Sequence, residues 1–321
     1  MGVHLLKQVR SVCKAVTERA RHVQINYDLI SSYARSLPLA KTIAPEHDPE
    51  SHYLGQDEAT ATFFLTLDTI NFGSGYFPQL HKRPGMSGYF TIAGCLNDLF
   101  KKQGPLSAEA LKQLTPEDCI RIFEQNPDSK PIGELMQLFA KALNDLGAYV
   151  HEDFNGNFTA LIKAAGSSAE RLMQLLIRMP YFYDVELYDQ IEVPFYKRAQ
   201  LTAADLSLAF AGQELGRFYD LEHLTIFADN LVPHVLRVDS ILLYEEELSS
   251  HIDAGELIPS GSAEEIEIRA CALQAVELLK NELNRSGRHV TSMGLDFLLW
   301  NRGRQPAYKS IPRHRSRTVF Y

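Results

Sequence analysis

The apolar residues of one long segment recur with helical spacing, and this pattern restricts the fold more than any other feature of the chain. Between residues 131 and 150, six large apolar side chains fall on one helical face: Ile132, Leu135, Leu138, Phe139, Leu143 and Leu146. Gly147 is well placed to end this helix, because glycine is common at helix C-termini. The pattern predicts a mainly α-helical chain.

Local helix-start signals and one strand candidate complete the predicted organisation. Ser262 with Glu265 fits a capping box, and Thr115 ahead of a proline is a second helix start. The best strand candidate is residues 62–72, which end at a Gly-Ser-Gly break. Since we find no Ser/Gly linker and no internal repeat, residues 1–321 are predicted to form one domain, with two helical lobes around a central cleft as a variant.

Charge and cysteine spacing exclude several classes of protein. The formal net charge of -8 at pH 7 argues against a stable nucleic-acid complex, because such complexes need a basic surface. The four cysteines form no pair at metal-ligand spacing, which is typical of a reduced chain. No segment reaches the ~18 apolar residues of a membrane span, and the first residues do not resemble a signal peptide. We therefore expect a soluble, cytoplasmic protein.

The common catalytic signatures are absent, so charged residues in apolar segments become the candidates. The sequence has no Walker loop, no GxGxxG, no GxSxG and no HExxH. Asp229 follows Phe227 and precedes Leu231 in an otherwise apolar stretch. It either caps a helix or acts as a catalytic anion that stabilises an oxocarbenium-like transition state at a sugar C1. The residues alone leave both interpretations open.

Earlier in the chain, two aromatic residues are followed directly by a pair of cations. Phe195 and Tyr196 lead directly into Lys197 and Arg198. A solvated charge pair at a helix start is one interpretation, because lysine and arginine are rarely fully buried. The other is that one cation binds a phosphate or pairs with a carboxylate.

The loop at residues 68–90 combines glycine with many aromatic residues. Its Phe72 and Tyr76 either pack into the core around a tight turn or offer faces on which a heterocyclic base stacks. Asn71 would then supply a donor and an acceptor to the edge of the base. A nucleobase pocket is one prediction for this loop.

Six segments, taken in order along almost the whole chain, resemble the queuosine-salvage family of queuosine 5′-phosphate N-glycosidases. Each is weak alone, but their ordered occurrence is specific. The matching segments are DTINF at 68–72, FYKRAQ at 195–200, LTIFADNLVP at 224–233, EIEIRA at 265–270, LDFLLW at 295–300 and HRSRTVFY at 314–321. After DTINF the chain reads GSGYFP, where eukaryotic members have a phenylalanine-tryptophan pair, so we interpret this loop as a bacterial-type version.

This resemblance implies a helical fold similar to helix-hairpin-helix DNA glycosylases, to which the residue pattern adds a minor β element near residues 62–72. It also implies hydrolysis of the N-glycosidic bond of queuosine 5′-phosphate, release of queuine for salvage into tRNA modification, and no metal or organic cofactor. The family motifs carry catalytic roles onto Asp229 and Lys197. The predicted substrate contacts are Asn71, Phe72, Tyr76, Tyr196, Phe227, Trp300 and Arg317.

The basic C-terminal cluster and two other functions complete the predictions. A tail that ends in a family motif is expected to dock on the protein body, with Arg315 or Arg317 in ion pairs or near the phosphate site. One alternative function is a DNA or RNA base glycosylase. The other is a protein that binds queuine or the nucleotide without turnover.

Overall fold

The computed structural model describes residues 4–39, 46–55 and 57–321, and within them helices dominate, which confirms the mainly α-helical prediction. In chain order the described elements are α1 (Leu5–Thr17), β1 (Val23–Ile25), α2 (Tyr27–Ser36), α3 (Glu58–Thr69), α4 (Gly88–Gln103), α5 (Ala108–Lys112), α6 (Pro116–Ile122), α7 (Lys130–Phe154), α8 (Phe158–Ala164), α9 (Ala169–Leu176), β2 (Val185–Tyr188), β3 (Ile191–Pro194), α10 (Lys197–Ala209), α11 (Leu231–Val238), β4 (Leu242–Tyr244), α12 (Glu246–Asp253), α13 (Ala263–Arg285), α14 (Ser292–Gly303) and α15 (Pro306–Lys309).

The chain divides into two compact units. The first unit contains residues 1–45, of which 4–39 are described, with Asp184–Lys197 and Glu222–Arg317. The second contains Glu46–Tyr183, Arg198–Leu221 and Thr318–Tyr321. The prediction of a single domain over residues 1–321 stays a prediction.

Helix α13 is the central element of the first unit, and α1 and α2 pack against it. Its start is confirmed, because the Ser262 side chain accepts the backbone N–H of Glu265. Buried side chains lie on every face of α13, including the charged Glu265, Glu267 and Arg269. Since buried charges need partners, this helix must contribute polar contacts as well as core packing.

Two small antiparallel sheets lie in the first unit. Strand β1 pairs with β4, and β2 pairs with β3. The β2–β3 turn places Asp189 at φ 44° and Gln190 at φ 66°. Positive φ at both turn residues matches the twist of a tight hairpin.

The strand predicted at residues 62–72 is wrong, because most of this segment lies in α3. The helix starts at Asp57, whose carboxylate accepts the backbone N–H of Thr60 at 2.8 Å. Every residue of α3 from Thr60 to Thr69 is buried. A short run that is apolar on all sides looks the same in a buried strand and a buried helix, so periodicity could not distinguish them.

The predicted role of Gly147 is also wrong, since α7 continues past it and ends before Asn155, which has φ 51°. A Cβ at Gly147 would lie 2.6 Å from both the carbonyl oxygen of Ala108 and the backbone nitrogen of Lys112. Glycine is therefore required here because α5 approaches the backbone of α7 closely. The helix start at Thr115 is confirmed by a complete capping box with Asp118.

Over the described part of the chain, no helix has the length and apolar character needed to cross a membrane. All four cysteines are buried and carry free thiols.

Candidate active site

Asp229 lies at the entry to α11, in a segment of the first unit without regular secondary structure. Its Oδ1 accepts backbone N–H bonds from Leu231 at 2.7 Å and from Val232 at 3.4 Å. N–H groups in the first turn of a helix have no partner within the helix. The helix-cap interpretation is therefore confirmed, and the same contacts hold a half-buried carboxylate in a fixed orientation.

A second carboxyl group, that of Asp296 in α14, is affected by the negative charge of Asp229. It is 3% exposed, and its Oδ1 accepts the backbone N–H of Phe227 at 2.9 Å. Burial, together with the negative charge of Asp229, raises the pKa of Asp296 to about 8, while the Phe227 N–H and Lys197 act in the opposite direction. The charge of Asp229 therefore acts on Asp296, which keeps its proton near neutral pH, and the two residues are called the carboxyl pair.

Sequence reasoning missed Asp296, although the signal was present. The residue lies inside LDFLLW, one of the family segments, with apolar neighbours on both sides. The criterion that selected Asp229, a charge in an apolar stretch, applies equally to Asp296.

We expect Asp296→Asn to weaken the dependence of stability on pH. The folded-state pKa of about 8 exceeds an unfolded value of ~3.9, so the contribution of Asp296 to stability is present below about pH 4 and is lost as the pH rises through about 8. Asparagine keeps the acceptor for Phe227 but cannot ionise. As the pH rises from about 5 to about 8, the unfolding free energy of the variant should increase relative to that of the parent by ~1 kcal/mol or more. Chemical denaturation at each pH measures this difference.

The control for this measurement is Asp128→Asn, which makes the same change of charge at an exposed position of the second unit. It should leave the pH dependence of stability as in the parent. An Asp296→Asn variant with the parent's pH dependence would contradict the assignment.

Lys197 is the first residue of α10, and only 5% of it is exposed. Its backbone N–H donates to Asp184 Oδ2 at 3.0 Å. Its positive charge lowers the pKa of Asp296, so it acts on the same carboxyl group as Asp229. Because Arg198 is also buried, at 1% exposure, the interpretation of a solvated pair is wrong.

Arg198 has a structural role in the second unit. Its guanidinium lies 4.9 Å from the centroid of the Phe72 ring and 4.8 Å from that of Phe182. It donates hydrogen bonds to four backbone carbonyl groups, those of Asp68, Thr69, Tyr181 and Val319. Arg198 thereby ties the end of α3 to the last residues of the chain.

The C-terminal tail packs within the first unit through Arg315. Arg315 donates to the carbonyl of Gly255, and its own carbonyl accepts the N–H of Ile258 at 2.9 Å. Burial lowers the pKa of Arg313, and the charge of Asp229 partly offsets this effect. Arg313 is therefore a tail cation that interacts electrostatically with Asp229, and Arg317 is exposed.

Four predicted substrate contacts lie in the first unit, the exposed Arg317 and three aromatic residues. Phe227 is buried and makes an edge-to-face contact with Phe297, at 5.9 Å between ring centroids. Tyr196 is buried and has φ 50°. Trp300 is half-buried, with the guanidinium of Arg304 at 4.9 Å from its ring centroid. Their roles toward a substrate stay predictions.

The other predicted contacts, Asn71, Phe72 and Tyr76, lie in the second unit. Phe72 is 2% exposed and meets Phe139 edge to face, at 5.1 Å between ring centroids. Together with the Arg198 contact, this packing supports the interpretation of Phe72 as an aromatic core residue. Stacking of a base on this loop stays a prediction.

The described residues contain no group of three or more His, Cys, Asp or Glu side chains arranged as metal ligands. What the first unit does offer is a fixed carboxylate, a buried carboxylic acid and a buried ammonium group. Such preorganised charges can stabilise a cation that develops in a transition state.

Comparisons with known proteins identify the family of the chain. The model of the family described as queuosine salvage protein matches residues 51–321. A relative from Sphaerobacter thermophilus, named queuosine 5′-phosphate N-glycosylase/hydrolase, is 35% identical over 98% of this chain and 97% of its own length. A relative of the same name from Dictyostelium discoideum is 30% identical over 98% of this chain and 99% of its own length. Another from Mus musculus is 28% identical over 97% of this chain and 98% of its own length. The chain belongs to the queuosine salvage protein family.

Proposed function

We propose that this protein hydrolyses the N-glycosidic bond of queuosine 5′-phosphate and releases queuine. The observation that carries the proposal is the fixed Asp229 carboxylate, with the buried Asp296 and Lys197 acting beside it. Relatives that carry this activity in their name align with nearly the whole chain, which supports the same reaction here.

The substrate sets the chemical problem. Queuine is a 7-deazapurine, so carbon replaces the N7 that a purine glycosidase would protonate to help the base leave. When the C1′–N bond breaks, its electron pair goes to the base, and positive charge develops on the ribose. Water supplies the oxygen that bonds to C1′ and the proton that the released base takes up.

Asp229 faces the developing cation in this proposal, because a fixed anion stabilises an oxocarbenium-like transition state. Asp296, protonated near neutral pH, provides a neutral neighbour and a hydrogen-bond donor. Lys197 stabilises the negative charge of the carboxyl pair. The proposal holds whether Asp229 attacks C1′ itself or orients the attacking water.

The proposal also covers the remaining predictions. Asn71, Phe72, Tyr76, Tyr196, Phe227, Trp300 and Arg317 are proposed to contact the nucleotide. The fold is proposed to be similar to helix-hairpin-helix DNA glycosylases. The protein is proposed to act in the cytoplasm as one domain, without a stable nucleic-acid complex.

A direct assay of base release tests the function. The full chain is incubated with queuosine 5′-phosphate, and free queuine is quantified by chromatography. We expect multiple turnovers, with ribose 5-phosphate as the second product. Binding of the nucleotide without release would instead identify a carrier, and release only from polymeric DNA or RNA would identify a nucleic-acid glycosylase.

A further inference from the structure

Arg269 is a fully buried cation at the centre of the first unit, with no exposed surface. Its Nη1 and Nη2 donate to the two carboxylate oxygens of Asp184 at 3.0 and 2.6 Å, and Glu265 Oε1 lies 3.4 Å from Nη1. The two parallel bonds form the bidentate geometry that fixes the relative orientation of both groups. Asp184 is itself only 2% exposed.

The remaining edge of the Arg269 guanidinium reaches the chain next to Asp229. Nε donates to the carbonyl oxygen of Ala228 at 2.9 Å. Ala228 directly precedes Asp229, whose side chain accepts the N–H of Leu231 on its other side. The backbone before Asp229 and the carboxylate itself are thus both held by hydrogen bonds.

Asp184 holds the chain at Lys197 in the same way. Its carbonyl oxygen accepts the N–H groups of Phe195 at 2.9 Å and Tyr196 at 3.3 Å, and its Oδ2 accepts the N–H of Lys197 at 3.0 Å. The Phe195 ring packs against the Arg269 guanidinium, with 3.9 Å between the ring centroid and the guanidinium carbon Cζ. One ion pair therefore contacts three consecutive residues at the start of α10.

The backbone between these contacts is strained. Tyr196 has φ 50°, a left-handed conformation that is unfavourable for a bulky residue and persists only where the surroundings enforce it. Asp184 binds the N–H groups on both sides of this residue and its own N–H as well. The conformation that directs Lys197 therefore depends on Asp184, which in turn depends on Arg269.

We infer that Arg269 and Asp184 form a positioning pair, which sets Lys197 and Asp229 in their working arrangement through the backbone of residues 195–197 and 228 without touching substrate. This inference rests on the proposed function, because it assigns the pair a task in that reaction. A buried ion pair is by itself weak evidence for a contribution to stability. Its contacts here converge on the two predicted catalytic residues.

The test uses Arg269→Lys and Asp184→Asn in the full chain, assayed for queuine release well below their melting temperatures. Lysine keeps the charge but cannot contact Asp184 in a bidentate manner and Ala228 at once. Asparagine keeps an acceptor but loses the charge. We expect kcat to fall by about 10- to 100-fold with KM changed by less than about 3-fold, since displacement of catalytic groups by ~1 Å costs rate on this scale.

The matched control is Glu267→Gln on the same helix. Glu267 is fully buried and accepts the N–H groups of Arg21, His22 and Val23 and the hydroxyl of Tyr188. Within the described part of the chain these hydrogen bonds do not reach residues 195–197 or 228–229. This variant should lose stability and keep the kcat of the parent. A kcat loss in Glu267→Gln equal to that in Arg269→Lys would reduce the pair to a general structural role and overturn the inference.

A second measurement separates positioning from folding. In the Asp229→Asn background, Arg269→Lys should cause little further loss of kcat, because groups that act as a unit are not additive. If the effects of Asp229→Asn and Arg269→Lys on kcat are fully additive, the inference is overturned. It is also overturned if the parent is active and the folded Arg269→Lys and Asp184→Asn variants keep its kcat. In both cases the proposed function stands. A parent that releases no queuine removes the proposed function, and the inference falls with it.

Discussion

Asp229→Asn is expected to lower the kcat of queuine release by about 10²-fold or more, because it removes the anion that stabilises the ribose cation. Asparagine keeps a side-chain oxygen that can accept the N–H of Leu231, so the cap of α11 should survive. The melting temperature should therefore stay close to that of the parent. Steady-state kinetics and thermal unfolding on the same preparation measure the two effects.

The matched control is Asp57→Asn, which alters another helix-capping aspartate, at α3 in the second unit. Asp57→Asn should lower stability only slightly, by about as much as Asp229→Asn, and should leave kcat unchanged. If Asp229→Asn folds like the parent and releases queuine at a near-parent rate, Asp229 is only a cap and the catalytic assignment is wrong.

Lys197→Ala is the second change with a large expected effect, a loss of roughly 10²-fold in kcat/KM. The ammonium group lowers the pKa of Asp296, so it acts on the carboxyl pair. Its removal should raise the pKa of Asp296 above its present value of about 8. Because this role does not involve the phosphate, the loss should be similar on queuosine 5′-phosphate and on the unphosphorylated nucleoside.

Comparing the two substrates makes this prediction decisive. A loss confined to the phosphorylated substrate would assign Lys197 to the phosphate and contradict a role at the carboxyl pair. Lys163→Ala, which removes an exposed lysine from α8 in the second unit, is the control and should leave both activities unchanged.

Local signals in the sequence were correct where the deciding interactions are also local. The helix starts at Ser262 and Thr115 depend on hydrogen bonds between residues three positions apart, and the structure contains both. The cap at Asp229 is of the same kind, since its partners are two and three residues away. Such contacts form between close neighbours in the chain, so residue type and spacing predict them.

The errors arose where burial or close packing decides the structure. The segment at residues 62–72 is apolar on all sides, and only its surroundings make it a helix. Gly147 permits the close approach of α5, although its position suggested a helix end. Both features depend on neighbouring elements that a single segment does not reveal.

The sequence by itself determined the mainly helical class, the family through its ordered motifs, and Asp229 and Lys197 as the residues to examine. Only the tertiary structure revealed Asp296 beside Asp229 and the buried contacts of Arg269. Arg269 and Asp184 are 85 positions apart, and Asp296 lies 69 positions from its partner Phe227. Contacts between residues so far apart in the sequence form only when the whole first unit packs. Because this packing excludes water, it strengthens the electrostatic interactions between these charges.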